Sequence, residues 1–165
     1  MVRDGRSCSW QVAPCRLASA GPSRLAPLGV APVARTTETR NLSVPIERDA
    51  GAVYAFLSLP ENFAKWASGL GSLHRAHGQW IAETPDGPMI VRFSESNAFG
   101  VLDHWVSPPS GVQIYIPLRV VKNGTGCELV FTLFRQPDMD QARFEADAQW
   151  VMRDLKAAKQ LLEAK

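Results

Sequence analysis

The chain has 165 residues, the length of one ordinary domain. Hydrophobic residues make up 45% and charged residues 21%, a composition that excludes global disorder, collagen and a disulfide scaffold. No apolar run reaches the roughly 20 residues that a transmembrane helix needs. The net charge of +2 gives no evidence for nucleic-acid binding, because its basic excess lies in residues 1–35, with five Arg and one Asp.

The first 36 residues are predicted to be an irregular leader, followed by one folded domain over residues 37–165. Four prolines in the leader, Pro14, Pro22, Pro27 and Pro32, prevent a stable helix. The leader also contains Arg and Ser with almost no acidic residue, as organelle transit peptides do. We favour a disordered leader, or a translation start placed too far upstream, over a transit peptide.

The spacing of the cysteines and histidines does not match that of a known metal site. Cys8, Cys15 and Cys127 contain no CxxC pair, and no histidine flanks them at zinc spacing. An odd number of cysteines without a framework predicts reduced thiols and a cytoplasmic protein. Glycine-rich phosphate loops, the G-x-S-x-G elbow and HExxH are also missing from the sequence, so we expect neither metal nor cofactor.

Helical signals follow the first strand. Alternating apolar residues predict a strand over Thr39–Ile46, and Asp49 can cap the helix that follows. Pro60 suits the first position of a second short helix, which carries Phe63 and Trp66 on one face.

The middle of the chain is predicted to be strands joined by short turns. Pro85-Asp86-Gly87 and Asn123-Gly124 are strong turn signals. Alternation of apolar residues predicts strands at Gln79–Thr84, Met89–Ser96, Val101–Ser107, Val112–Val121 and Cys127–Arg135.

One long helix ends the chain. Asp138 and Gln141 resemble a capping box at its start. An apolar stripe with helical spacing follows, formed by Phe144, Ala148, Val151, Leu155, Ala158 and Leu162. Hairpin-linked strands between helices predict an α+β fold, in which a curved antiparallel sheet of six or seven strands surrounds the long helix. The space between sheet and helix is a natural ligand cavity.

The segment Leu42–Trp66 resembles the start of the SRPBCC, or START-like, superfamily. The similar positions are an apolar strand, a capped helix with Val53, Phe56 and Leu57, and then Pro60, Glu61 and Trp66. Phe99–Val106 (FGVLDHWV) looks like the polyketide cyclase/dehydrase-like branch. The resemblance covers about residues 40–163, and Leu59 departs from the Asp often found before the proline.

The resemblance implies a helix-grip fold with a deep apolar cavity. Members of the superfamily bind lipids, sterols, polyketides or hormones, while others are aromatases, cyclases or cochaperones. We therefore expect a protein that binds a hydrophobic small molecule, with no nucleic acid partner and no membrane span. A cofactor-free cyclase or dehydratase that uses His104, and a cochaperone-like interaction module, are the two alternatives. The oligomeric state cannot be predicted.

His104 is the main candidate for chemistry. If Leu102 and Val106 face the cavity, strand parity places His104 there as well, either as a satisfied core histidine, as a ligand contact or as a general acid–base. Glu95 shares its face with Phe93 and lies near a strand end, so it is either solvated at the rim or paired with His104.

Further residues are predicted around the cavity or outside it. Asp103 and Arg119 are expected to form a surface salt bridge, and Tyr115 is expected on the outer sheet face. Trp66 either packs the helix or lies at the cavity mouth. The complete set of predicted ligand-binding residues is His104, Glu95, Phe93, Ile114, Ile116, Leu118, Phe131, Trp66 and Val151.

Overall fold

The computed structural model describes residues 34–68, 72–84, 87–109, 111–137 and 139–164. Most of the predicted leader lies outside these ranges. The elements in chain order are β1 (Thr39–Ile46), α1 (Ala50–Leu57), a 3-10 helix (Pro60–Lys65), β2 (Ser72–Ala76), β3 (Gln79–Thr84), β4 (Gly87–Phe93), β5 (His104–Ser107), β6 (Ile114–Ile116), β7 (Leu118–Asn123), β8 (Gly126–Phe134) and α2 (Gln141–Glu163). This order confirms the predicted α+β class, with short helices after the first strand and one long helix at the end.

The strands of the described residues form two antiparallel sheets. One has the order β1-β8-β7 and the other the order β2-β3-β4-β5-β6. A single sheet of six or seven strands was expected, so the strand count and its division differ from the prediction. The outer faces of the two sheets meet where the rings of Tyr115 and Phe134 stack, with centroids 6.2 Å apart.

The division falls at Pro117. The sequence predicts one strand over Val112–Val121, whereas the structure has β6 and β7 on either side of this proline. Proline has no N–H to continue a hydrogen-bonded ladder, so the chain changes partner there. β6 pairs with β5, whereas β7 pairs with β8, and the Pro117 carbonyl accepts a hydrogen bond from the Thr132 N–H at 3.0 Å.

The two short helices are fastened by local polar contacts. Asp49 caps α1 as predicted, since its side chain accepts a hydrogen bond from the Ala52 N–H at 3.0 Å. Pro60 opens the 3-10 helix. The Asn62 side chain then donates to the Phe56 carbonyl at 2.9 Å, which ties the 3-10 helix to the end of α1.

The long helix α2 packs on β1 and β8. Its N-cap is Asp140, whose side chain accepts from the Arg143 N–H at 2.8 Å. The helix therefore starts two residues after the predicted capping residue, Asp138, which lies outside the described residues. The predicted stripe is buried at Phe144, Ala148, Leu155, Ala158 and Leu162. These side chains close the main core against the apolar residues of β1 and β8.

The loop between β4 and β5 is organised by Asn97. Its side-chain oxygen accepts from the N–H groups of Phe99 and Val101, at 3.0 and 3.1 Å, and its side-chain nitrogen donates to the carbonyls of Glu95 and Val101. The Asn97 N–H also donates to the Tyr54 hydroxyl at 2.8 Å. These bonds fix the loop against α1.

Gly100→Ala is expected to lower the free energy of unfolding by at least about 2 kcal/mol, because it combines left-handed strain with a steric clash. Gly100 has φ +71°, and a Cβ there would lie 2.2 Å from the Val120 carbonyl oxygen. Gly124→Ala is the matched control, because Gly124 has φ +60° but open space around it. The control should cost only about 1 kcal/mol by urea denaturation, and equal losses in both variants would contradict the close approach.

Candidate functional site

A cavity of about 160 Å³ lies between the short helices and the strands β4, β5 and β7. Most of the side chains around it are apolar or aromatic. Its described walls are Tyr54, Leu57, Ser58, Leu59, Phe63, Trp66, Phe93, Ser94, Ser96, Val101, Leu102, His104 and Leu118.

Phe63 lies at the centre of an aromatic cluster in this wall. Its ring contacts Trp66 at 4.9 Å, His104 at 5.2 Å and Phe93 at 5.4 Å between centroids, all three edge to face. Phe63 comes from the 3-10 helix, whereas Phe93 and His104 are register partners on β4 and β5. The cluster therefore joins the short helices to the five-stranded sheet and gives the cavity a rigid apolar lining.

His104 is the first residue of β5 and is only 3% exposed. Its Nδ1 lies 3.3 Å from the Leu102 carbonyl oxygen. A carbonyl can only accept, so this contact requires the proton on Nδ1 and leaves a lone pair on Nε2. Nε2 has no hydrogen-bond partner among the side chains and backbone groups that the structure describes.

Burial keeps the His104 ring neutral. Desolvation lowers the pKa of His104 to about 4, and the hydrogen bond to Leu102 opposes this shift only in part. At neutral pH the side chain therefore presents an acceptor rather than a positive charge.

The Trp66 indole is another polar group in the wall. Trp66 is 5% exposed, and its Nε1 is buried with no hydrogen-bond partner within the described part of the chain. An unpaired buried donor costs about 1–3 kcal/mol. Native proteins seldom carry this cost without a reason, so the indole N–H is a candidate contact for a ligand.

The cavity wall carries no Asp, Glu, Lys or Arg among the residues described. A charged ligand would lose its hydration there without gaining an opposite charge. The arrangement therefore suits an uncharged molecule. No group of three or more His, Cys, Asp or Glu side chains in the described ranges has a geometry suited to a metal ion.

The structure brings four of the predicted site residues together: His104, Phe93, Leu118 and Trp66. Trp66 is both part of the main core and part of the wall. The other predicted residues, Ile114, Ile116, Phe131, Val151 and Glu95, do not line this cavity.

Different physical reasons place these residues elsewhere. Ile114 and Ile116 lie on β6, at the edge of the five-stranded sheet beyond the Pro117 break. Phe131 and Val151 pack against the main core instead. The expected cavity between sheet and α2 is thus replaced by one whose described walls contain no α2 residue.

Glu95 lies outside the site because β4 ends at Phe93. Parity no longer applies beyond the strand end, and the Glu95 side chain is exposed in the loop. The Glu95 carbonyl accepts a hydrogen bond from the Asn97 side chain at 2.9 Å. The expected alternative of a Glu95–His104 pair does not form.

Asp103 and Arg119 do form an ion pair, but the pair is not a surface one. Asp103 is 6% exposed, and its carboxylate also accepts from the Tyr115 hydroxyl at 2.6 Å and from the Leu118 N–H at 3.1 Å. The carboxylate thus holds β5, β6 and β7 together at the Pro117 break. A buried carboxylate needs such partners, so Asp103 supports the site structurally.

Sequence analysis missed the wall residues from α1 and the segment after it. Tyr54, Leu57 and Leu59 belong to the apolar stripe of a short helix and its exit, which predicts core packing only. Phe63 was found as a helix-face partner of Trp66 but not as a cavity residue. The signal that identifies these residues is the spatial meeting of the helix exit with the β4–β5 loop.

The chain was compared with known proteins. No family model matches it, and no curated protein matches its sequence. Solved structures do match. Ara h 8.0201 superposes with a TM-score of 0.59 at 11% identity, covering 78% of this chain and 99% of that one.

Two further solved structures have the same architecture. The Aha1 dimer from Colwellia psychrerythraea gives a TM-score of 0.59 at 13% identity, with 76% of this chain and 96% of that chain covered. DynU16, from the dynemicin biosynthetic locus, gives 0.55 at 13% identity, with 77% of this chain and 48% of that chain covered. The chain therefore has the fold of these structures, the helix-grip architecture expected from its sequence. None of the described helices is long and apolar enough to cross a membrane.

Proposed function

We propose that the protein binds an uncharged, hydrophobic small molecule in the cavity around Phe63. The unpartnered Trp66 N–H in a mostly apolar and aromatic wall is the observation that carries this proposal. An apolar cavity with a few fixed polar groups is the usual form of a small-molecule site. The resemblance to START-like proteins, many of which bind hydrophobic ligands, supports the same function.

The cavity volume limits the ligand. A cavity of about 160 Å³ is close to the roughly 150 Å³ at which an apolar protein cavity holds benzene. It is smaller than the roughly 300–1,000 Å³ of sites for drug-sized ligands. We therefore expect a molecule with a single ring, or one end of a longer ligand whose remainder passes out beside Leu59 and Ser96, the exposed residues of the wall.

A cofactor-free cyclase or dehydratase remains the second candidate, because His104 does lie in the cavity wall. Two features weigh against it. A general base works best with a pKa near the operating pH, whereas the pKa of His104 is about 4. Glu95, the expected carboxylate partner, is also exposed and does not line the cavity. A cochaperone-like function, the third function that the superfamily resemblance implies, is not favoured by any side-chain cluster among the described residues.

The binding proposal is tested with toluene as an uncharged one-ring probe, titrated into the full chain and followed by NMR chemical shifts. The wild type should bind toluene at the cavity. Ser96→Trp should weaken binding about tenfold or more, because the large side chain fills the exposed part of the wall. Ser72→Trp is the control, since Ser72 is exposed on β2 and does not line the cavity.

Native mass spectrometry of the purified chain complements the titration, because a co-purified molecule would reveal the natural ligand class. The proposal is wrong if toluene does not shift the signals of Phe63 and Leu118 up to its solubility limit. It is also wrong if both Trp variants bind toluene like the wild type.

A further inference from the structure

Two polar groups of the cavity wall, on Trp66 and His104, have complementary roles. Trp66 Nε1 can only donate a hydrogen bond, since the indole N–H has no lone pair to offer. His104 Nε2 can only accept one, because its ring proton is held on Nδ1 by the Leu102 carbonyl. Each group lacks a partner among the described residues.

Both groups lie around the same apolar centre. The rings of Trp66 and His104 each contact the Phe63 ring edge to face, at 4.9 and 5.2 Å. Both rings are therefore neighbours of one side chain of the cavity wall. Two further wall residues, Phe93 and Leu118, are apolar, and their side chains offer no competing hydrogen bond.

We infer that the ligand carries a hydroxyl group on its apolar body, which accepts a hydrogen bond from Trp66 Nε1 and donates one to His104 Nε2. This inference rests on the proposed binding function and names the ligand class. A hydroxyl is the smallest group that both donates and accepts. An ether or a ketone satisfies only Trp66, and a hydrocarbon satisfies neither.

Charged analogues are excluded by the same wall. A carboxylate or a phenolate would bring a negative charge next to a neutral histidine, with no Lys or Arg among the described lining residues. The free energy needed to desolvate such a charge exceeds the free energy gained from one hydrogen bond with the indole N–H. The protein should therefore select neutral alcohols or phenols over the corresponding anions.

The probes for the test are phenol, anisole and toluene, titrated into the full chain at pH 7. Phenol both donates and accepts, anisole only accepts, and toluene does neither. One hydrogen bond strengthens binding about threefold to tenfold, so phenol should bind roughly ten to a hundred times more tightly than toluene. Anisole should fall between them, and benzoate should not bind.

Two variants test whether Trp66 Nε1 and His104 Nε2 cause the preference for phenol. Trp66→Phe removes the donor and keeps an aromatic ring, so the variant should still bind toluene and lose about threefold to tenfold in phenol affinity. His104→Leu removes the acceptor and should lose a similar factor for phenol, with no loss for anisole. Ser72→Trp again serves as the control, and it should keep the wild-type order of affinities.

A measurement on the wild-type chain keeps the test decisive if a variant fails to fold. The indole N–H signal of Trp66 should move on phenol binding and stay in place when toluene binds. If toluene binds and phenol shows no preference or indole shift, the hydroxyl inference is wrong and the binding function stands. If none of the probes binds, both proposals are wrong.

Discussion

Leu155→Ala is expected to lower the free energy of unfolding by about 2–5 kcal/mol, the range for a fully buried leucine. Leu155 is 0% exposed and lies at the centre of the α2 face that packs on β1 and β8. The loss combines the transfer free energy of the deleted atoms with the cavity that they leave. A small domain has about 5–15 kcal/mol in total, so the variant should be marginally stable.

Urea denaturation of the full chain checks this value. Leu59→Ala is the matched control, because the same atoms are deleted at a position that is 52% exposed. The control should lose less than about 1 kcal/mol. A loss below about 0.5 kcal/mol at Leu155 would mean that the stripe of α2 does not face the sheets, and the fold description would then fail.

The long helix and the first strand are predictable because a single periodicity determines them. In α2 the apolar residues recur at steps of three and four, and Phe144, Leu155 and Leu162 are all fully buried. In β1 the alternation of the buried Val44 and Ile46 with the exposed Ser43 and Pro45 fixes the buried face. The burial pattern of both elements follows from their own residues. Each element can therefore be predicted without knowing what it packs against.

The break at Pro117 is not predictable from periodicity. Apolar alternation continues on both sides of the proline, since Ile114, Ile116, Leu118 and Val120 keep the same parity. Strand pairing decides the division, because β6 pairs with β5 and β7 pairs with β8. Pairing partners are distant in sequence, so a local pattern does not contain them.

The strand β2 shows a different limit. Its residues Ser72–Ala76 alternate weakly, because two of them are half-buried and the other three are exposed. The useful signal is the turn after it, where His77 and Gly78 have φ of +52° and +80°. Two successive positive φ values are typical of a type I′ hairpin, which glycine favours at the second position.

The candidate site is predictable only in part for a related reason. Parity along β5 places His104 on the buried face, and the structure agrees. The opposite wall comes from the end of α1 and the 3-10 helix, whose apolar residues have the same pattern whether they pack a core or line a cavity. The unpaired Trp66 N–H is likewise visible only in three dimensions.

Acidification should destabilise the fold through His104. Its pKa is about 4 in the folded chain because of burial, against about 6.5 in the unfolded chain. Above pH 6.5 the ring is neutral in both states and contributes nothing to the pH dependence. Between pH 6.5 and 4 only the unfolded chain takes up the proton, so the free energy of unfolding falls as the pH falls.

The expected loss from this residue is about 2 kcal/mol at pH 5 and about 3 kcal/mol at pH 4, relative to pH 7. Urea denaturation at several pH values measures it. The pKa values of Glu145 and Glu163 are lowered mainly by hydrogen bonds from Arg40 and from the Glu47 N–H, respectively. Protonation of these carboxylates at low pH also lowers the free energy of unfolding. The His104 contribution is therefore the difference between the wild type and His104→Leu.

His104→Leu should show a flatter dependence of stability on pH, by about 3 kcal/mol between pH 7 and 4. His74→Leu is the matched control, because it makes the same substitution at a histidine that is exposed on β2. If both variants follow the wild-type curve, His104 titrates alike in the folded and unfolded chains. The ring would then be in contact with water rather than enclosed in the cavity wall, which would contradict its burial.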